Sequence, residues 1–172
     1  MSQLAPLNLH AWVEEHRHLL KPPVGNAAIW NSNFLVMVVG GPNQRSDYHV
    51  NPGEELFFQI EGDIVLKVIE DGQPRDIAIK QGEIFLLPAK VPHSPQRPAN
   101  TVGLVVEQPK ASQEAQHLRW YCRRCNALLY DAEFQPVDLG KQIKEIIERF
   151  RSREELRTCK SCGEVEDGER PA

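Results

Sequence analysis

Between Ala27 and Glu107 the chain is a succession of short runs rich in Val, Ile, Leu and Phe, near residues 27–30, 34–40, 55–61, 63–70, 75–80, 83–87 and 101–107. Runs of this length suit strands rather than helices. Seven of them in about 80 residues leave a sandwich or a small barrel as the ways to bury their apolar faces. The breaks between them have mechanisms. Gly62-Asp63 and Asp71-Gly72 accept the positive φ of tight hairpins, and Gly40-Gly41-Pro42-Asn43 stops a strand. Ahead of the strands the period changes: Leu9, Trp12, Val13, His16, Leu19 and Leu20 recur at helical spacing behind Asn8, a suitable N-cap, and Lys21-Pro22-Pro23-Val24-Gly25 ends that helix.

Four cysteines mark a second unit. Cys122-Arg-Arg-Cys125 and Cys159-Lys-Ser-Cys162 flank a helix expected from about Asp138 to Arg157, with Asp138 as N-cap and Leu139, Ile143, Ile146, Ile147 and Phe150 as its apolar stripe. Each Cys-x-x-Cys pair can place two thiolates on one ion, and two pairs complete a tetrahedron that accepts iron or zinc. Asn126 and Gly163 follow the second cysteine of each pair, and both residue types tolerate the positive φ that such metal knuckles use. The alternatives are two disulfides, suited to an oxidising compartment, or four unrelated free thiols. The expected organisation is an N-terminal helix plus barrel over 1–107, a polar linker over 108–118, the four-cysteine unit over 119–163 and a flexible acidic tail over 164–172.

Composition narrows the function. Lys and Arg total 20 against 24 Asp and Glu, a net charge of −4, which excludes a general binder of polyanionic nucleic acid. A locally basic pocket for one small anion remains compatible. No apolar run approaches the ~20 residues of a membrane span, and the N-terminus has no basic-then-apolar signal pattern, so a soluble cytoplasmic protein is expected.

Two blocks carry candidate chemistry. The first holds His49 and Glu55, and the second holds Gly82, Pro88 and His93. If both lie on strands of one barrel, two imidazoles and a carboxylate can converge on a divalent ion and leave its opposite face open, the arrangement of non-heme Fe(II) oxygenases. His10, His16, His18 and His117 lack such a context and are assigned to the surface.

The segments Gly41-Pro42-Asn43-Gln44-Arg45-Ser46-Asp47-Tyr48-His49 with Glu54-Glu55, and Gly82-Glu83-Ile84-Phe85-Leu86-Leu87-Pro88 with His93-Ser94-Pro95-Gln96-Arg97, look like the two cupin motifs. The fold expected is therefore mainly β, a cupin barrel or jelly roll with an N-terminal helix and a C-terminal helix-containing four-cysteine unit. Cupins usually carry a second His two positions after the first. Here that position is Asn51, which favours three ligands over four. Lys21-Pro22-Pro23-Val24-Gly25-Asn26, Arg45-Ser46-Asp47-Tyr48-His49, His93-Ser94-Pro95-Gln96-Arg97-Pro98 and Leu104-Val105-Val106-Glu107 are more specifically similar to the 3-hydroxyanthranilate 3,4-dioxygenase family, in its short bacterial form with a four-cysteine unit.

That resemblance implies that His49, Glu55 and His93 hold a catalytic Fe(II), with Glu55 also bordering the substrate. It implies that Arg45 and Arg97 grip the substrate carboxylate, Arg45 also facing dioxygen and counting with Glu107 as catalytic. Glu107 would be an acid/base residue beside the substrate hydroxyl and amine, and Asn26 would line the pocket. The implied reaction opens the ring of 3-hydroxyanthranilate with O2 to give 2-amino-3-carboxymuconate semialdehyde, which closes to quinolinate on the route from tryptophan to NAD. The implied second metal at Cys122, Cys125, Cys159 and Cys162 is a rubredoxin-like iron, or zinc, with a structural role, since the reaction conserves electrons. A homodimer is also implied. Two other readings share the barrel: a carboxylate-binding cupin without catalysis, and a metal-dependent isomerase. Asn51 and the two arginines favour the dioxygenase.

Overall fold

The computed structural model describes residues 4–22, 25–43, 45–108, 114–135 and 139–167. Helix α1 (Leu9–His16) begins where the sequence places it: Asn8 Oδ1 accepts a hydrogen bond of 3.0 Å from the N–H of Ala11. It tightens into a single 3-10 turn at Arg17–Leu19 and ends before Pro22. Val13 of the helix and Leu20, just past the turn, are buried.

Two antiparallel sheets follow. One has the order β1-β2-β9-β4-β7, made of Asn26–Asn31, Leu35–Gly40, Val102–Glu107, Glu55–Glu61 and Ile84–Leu87 respectively. The other has the order β11-β10-β3-β8-β5-β6, made of Leu128–Phe134, Gln116–Tyr121, Tyr48–Val50, His93–Gln96, Ile64–Glu70 and Gln73–Ile79. Between the sheets Phe57, Ile64, Leu66, Val68, Ile79, Leu87 and Val105 form the barrel core. Helix α1 covers part of the first sheet's outer face, where Val13 and Leu20 meet Val38, Ile60 and Val102. The approach is close enough to require glycine: a Cβ on Gly40 would stand 2.0 Å from the carbonyl oxygen of Leu20. At the hairpin tips Gly62, Asp71 and Gly72 have positive φ, as their turn positions demand.

The sequence pattern predicts seven strands before residue 108, whereas the described residues there form nine. The two additions, β3 and β8, are short, and each turns a buried imidazole, His49 or His93, into the cavity. Hydrophobic patterning cannot detect a strand whose buried face is a binding site.

The C-terminal organisation also differs from expectation. Within the expected linker 108–118, residues 109–113 lie outside the described residues, and Gln116, His117 and Leu118 are the start of β10. That strand pairs with β3 of the barrel, in the register His117↔Val50, Leu118↔His49 and Arg119↔Tyr48, and with β11 on its other side. Pairing satisfies the backbone edge that β3 would otherwise expose. Helix α2 (Leu139–Ser152) lays Ile146 and Phe150 on Leu118, Trp120, Ala132 and Phe134, with the rings of Trp120 and Phe150 stacked at 4.3 Å. The expected cap Asp138 lies outside the described residues. The helix expected to run to Arg157 is interrupted by the extended backbone of Arg153, and a short α3 (Glu154–Arg157) follows. Residues 164–167 of the expected tail are tied down. Val165 bridges Thr158, and buried Glu166 receives the N–H of Arg123 at 2.7 Å.

Candidate metal centre and its pocket

His49 comes from β3, Glu55 opens β4 and His93 opens β8. Cross-strand register sets His49 opposite His93 and Glu55 opposite Glu107 of β9. All four side chains are buried. His49 Nδ1 lies 3.5 Å and His93 Nε2 lies 3.3 Å from Glu55 Oε1, and one ligand atom from each residue falls within 4.8 Å of the others. Three donors about 2.1 Å from one ion and at right angles would stand ~3.0 Å apart, so small movements suffice to close this set on a divalent cation. The remaining ring nitrogens are anchored away from it. His93 Nδ1–H donates to Val91 O at 3.0 Å, and His49 Nε2–H donates to Gln116 Oε1 at 2.9 Å. Burial opposes the charge of Glu55, but the two imidazoles hold its carboxyl well below the usual range.

Asn51, at the position where a fourth ligand was discounted, holds two carboxylates. Its Nδ2 donates to Glu55 Oε1 at 3.1 Å and to Glu107 Oε2 at 2.6 Å. Glu107 has the opposite electrostatics from Glu55: burial, and then the charge of Glu55, push its carboxyl up to about 7.

A cavity of ≈ 360 Å³ opens beside these residues, lined also by Asn26, Met37, Val39, Arg45, Phe57 and Arg97. This volume accommodates one substituted aromatic ring. The two arginines differ. Arg45 is partly exposed and already paired through Nε and Nη2 with Asp47. Arg97 is 2% exposed, and its guanidinium donates only to the neutral Gln59 Oε1 at 3.3 Å, while its Nε has no partner among the described residues. Burial, and then the nearby Arg45 charge, pull Arg97 down to about 10. Gly103 makes room for the pair: a Cβ there would come within 2.7 Å of Gln59 Oε1 and 2.8 Å of Arg97 Nη1. An unspent buried fork facing a cavity is a receptor for a planar anion.

The sequence reading missed Asp47, Gln59, Gln116 and the structural use of Asn51. Asp47 alone carried a signal, lying within the Arg45-to-His49 block. Ile143 of α2 also reaches the cavity, so the C-terminal unit contributes to its wall. The histidines assigned to the surface stay apart from the cluster: His16 stacks on Trp12, and His117 bonds Asp131 at 2.8 Å.

The four cysteines meet at a second point. Cys122 Sγ is 3.6 Å from Cys162 Sγ, and Cys125 Sγ is 3.5 Å from Cys159 Sγ. Sulfurs ~2.3 Å from a tetrahedral ion stand ~3.8 Å apart, whereas a disulfide needs about 2.05 Å, so the geometry suits an ion and the thiols are free. Asn126 and Gly163 have φ of 60° and 77°, and their N–H groups return to the carbonyls of Cys122 and Cys159, each at 2.9 Å.

The family model described as 3-hydroxyanthranilic acid dioxygenase matches residues 1–151. A protein named 3-hydroxyanthranilate 3,4-dioxygenase from Xanthomonas euvesicatoria pv. vesicatoria is 53% identical over 162 residues, 94% of this chain and 92% of that one. One of the same name from Neurospora crassa is 50% identical over 95% of this chain and 91% of its own length. Among solved structures, a cupin-2 domain protein from Shewanella frigidimarina has a TM-score of 0.46 at 17% identity, covering 55% of this chain and 90% of that one.

Proposed function

The chain belongs to the 3-hydroxyanthranilic acid dioxygenase family, and on that premise we propose that it opens the ring of 3-hydroxyanthranilate with O2 to give 2-amino-3-carboxymuconate semialdehyde, the precursor of quinolinate. The observation that carries this reading is the buried, anion-less Arg97 lining the same cavity as the His49, Glu55 and His93 cluster. One cavity thus offers a metal and a carboxylate receptor to a single small ring.

His49, Glu55 and His93 are assigned to Fe(II). Bound there, the ion supplies a meeting point for the substrate's hydroxyl and amine with dioxygen, and a path for electrons between them. The protein's own groups do the rest. Arg97 takes the carboxylate and sets the ring's orientation, converting lost rotational freedom into reactive alignment. Arg45, its charge balanced by Asp47, contributes a second polar wall on the dioxygen side. Glu107, clamped by Asn51 beside Glu55, accepts the hydroxyl proton and makes the ring electron-rich. Asn26 borders the entrance.

The four-cysteine site is assigned to iron, with zinc as the alternative occupant, in a structural role. Four free thiols on such a site suit a reducing cytoplasm. The barrel and the four-cysteine unit are treated as two functional parts of one fold. A homodimer is supported by the outer face of the first sheet, where Val36, Val106, Leu56 and Leu86 align across four strands and Ile84, Leu86 and Trp30 are exposed.

The test is direct. Protein reconstituted anaerobically with Fe(II) is mixed with 3-hydroxyanthranilate and air. Growth of the semialdehyde absorbance, abolished in His49→Ala, is the expected result, and its absence from the reconstituted protein would sink the proposal.

A further inference from the structure

We propose that Gln116 is a positioning residue for the catalytic metal: its side-chain carbonyl fixes the His49 ring with Nδ1 turned to Glu55, and thereby anchors a metal ligand of the barrel to the strand that leads into the four-cysteine unit. The inference rests on the assignment of His49, Glu55 and His93 as a metal site.

The backbone register brings the two residues together. Leu118 is directly opposite His49 across the β10–β3 pair, and Gln116 lies two residues away on the same face of β10. Diagonal neighbours of this kind are 7–8 Å apart at their backbones, a span that a long side chain can cross and a short one cannot. Gln116 does cross it, and its Oε1 accepts the Nε2–H of His49 at 2.9 Å.

Stability alone does not account for an amide here. Gln116 is 1% exposed, and its Nε2 has no hydrogen-bond partner among the described residues. A buried amide with an unspent donor costs free energy that Leu or Met in the same space would not. What the amide uniquely supplies is an acceptor aimed at one ring nitrogen. With the oxygen against the ring, the proton must reside on Nε2, and Nδ1 keeps the lone pair that faces Glu55. With the amide turned the other way, its N–H2 would force the proton onto Nδ1 and close that atom to a cation. Val91 O performs the matching task for His93 by accepting from its Nδ1–H. Both ligand imidazoles are thus locked through the nitrogen that does not face the cluster, the arrangement by which an outer hydrogen bond sets ring orientation and basicity at metal sites.

The two locks differ in origin. Val91 belongs to the barrel, two residues from His93, whereas Gln116 is 67 residues from His49. On β10 the buried residues Gln116, Leu118 and Trp120 alternate on one face and lead to buried Cys122, ~20 Å along the strand direction from Gln116. The His49 ring therefore has its anchor on the element that also delivers the first thiolate.

Fe(II) affinity measured anaerobically by chelator competition tests the inference, on protein whose four-thiolate metal is in place and whose content of that metal is assayed in parallel. Gln116→Leu should weaken His49-dependent Fe(II) binding by about 10- to 100-fold and leave the four-thiolate metal content unchanged. Gln116→Asn, which keeps an amide but loses the reach, should fall with it and serves if the Leu variant does not fold. Gln116→Glu restores a long acceptor and should bind within a few-fold of wild type. A His49-dependent site left at full affinity by Gln116→Leu and Gln116→Asn would overturn the inference, as would a Glu variant as weak as the Leu variant. Equal Fe(II) binding by wild type and His49→Ala would instead overturn the underlying metal-site reading.

Discussion

At the scale of single residues the decisive asymmetry is between Arg45 and Arg97. Arg45 carries its own carboxylate in Asp47, whereas Arg97 is enclosed with, among the described residues, only the Gln59 amide oxygen to receive its side-chain donors. An enclosed charge without a counter-charge is a cost the folded protein bears until an anion arrives. Arg97→Met should therefore raise stability by about 1–4 kcal/mol while removing the carboxylate receptor. The expected result is a higher thermal midpoint in the apo protein together with a KM for substrate raised by two orders of magnitude or more. A lower midpoint would mean that Arg97 has a structural partner in solution. The companion measurement adds substrate to wild type without O2: the midpoint should rise with ligand concentration, as mass action requires, and the Arg97→Met variant should not respond. Arg45→Ala should weaken substrate binding less, since Asp47 already engages its fork. Equal losses from the two arginines would show that they share the carboxylate evenly.

At the scale of elements, β10 links regions that look separate in the sequence. It is one edge of the C-terminal unit's core and the neighbour of β3, so the four-cysteine unit continues the barrel's sheet. That unit's core is small: Leu118, Trp120, Ala132, Phe134, Ile146 and Phe150. Small cores gain much of their stability from a structural metal. Cys122→Ser should lower the thermal midpoint and the total metal content before it alters turnover by the remaining folded molecules. Retention of two metals per chain in that variant would contradict the four-thiolate site. The elements hardest to read were β3 and β8, for a related reason. A strand announces itself by an apolar face, and these two present imidazoles to the interior. The motif residues His49, Glu55 and His93 were nevertheless legible by type and order. Their partners were not, because Gln116 is 67 residues from His49 and Gln59 is 38 from Arg97, distances closed only by strand pairing.

At the scale of the whole molecule, the net charge of −4 is compatible with an anion receptor because Arg97, buried without a counter-charge, sets the field at its end of the cavity whatever the surface sum. The outer face of the five-stranded sheet is only partly covered by α1, and Ile84, 69% exposed, and Leu86, 52% exposed, stand on its β7 edge. Burial of that face by a second copy predicts that Leu86→Lys shifts the protein toward monomer in light-scattering measurements. A dimer unchanged by the substitution would move the interface elsewhere. Short-range chemistry determined much in advance: strand-length apolar runs specified a β-sandwich or small barrel, Asn8 and the prolines bounded α1, Asn126 and Gly163 turned the cysteine knuckles, and the His, Glu and Cys motifs named the metal-ligating candidates. These are local properties, governed by backbone φ, capping and the period of apolar residues. Tertiary structure alone decided which arginine is left without an anion, that Asn51 clamps two carboxylates, and that an apparent linker supplies the acceptor for His49. Each of those depends on which strands become neighbours and on what burial then leaves unpaired, and no local pattern encodes either.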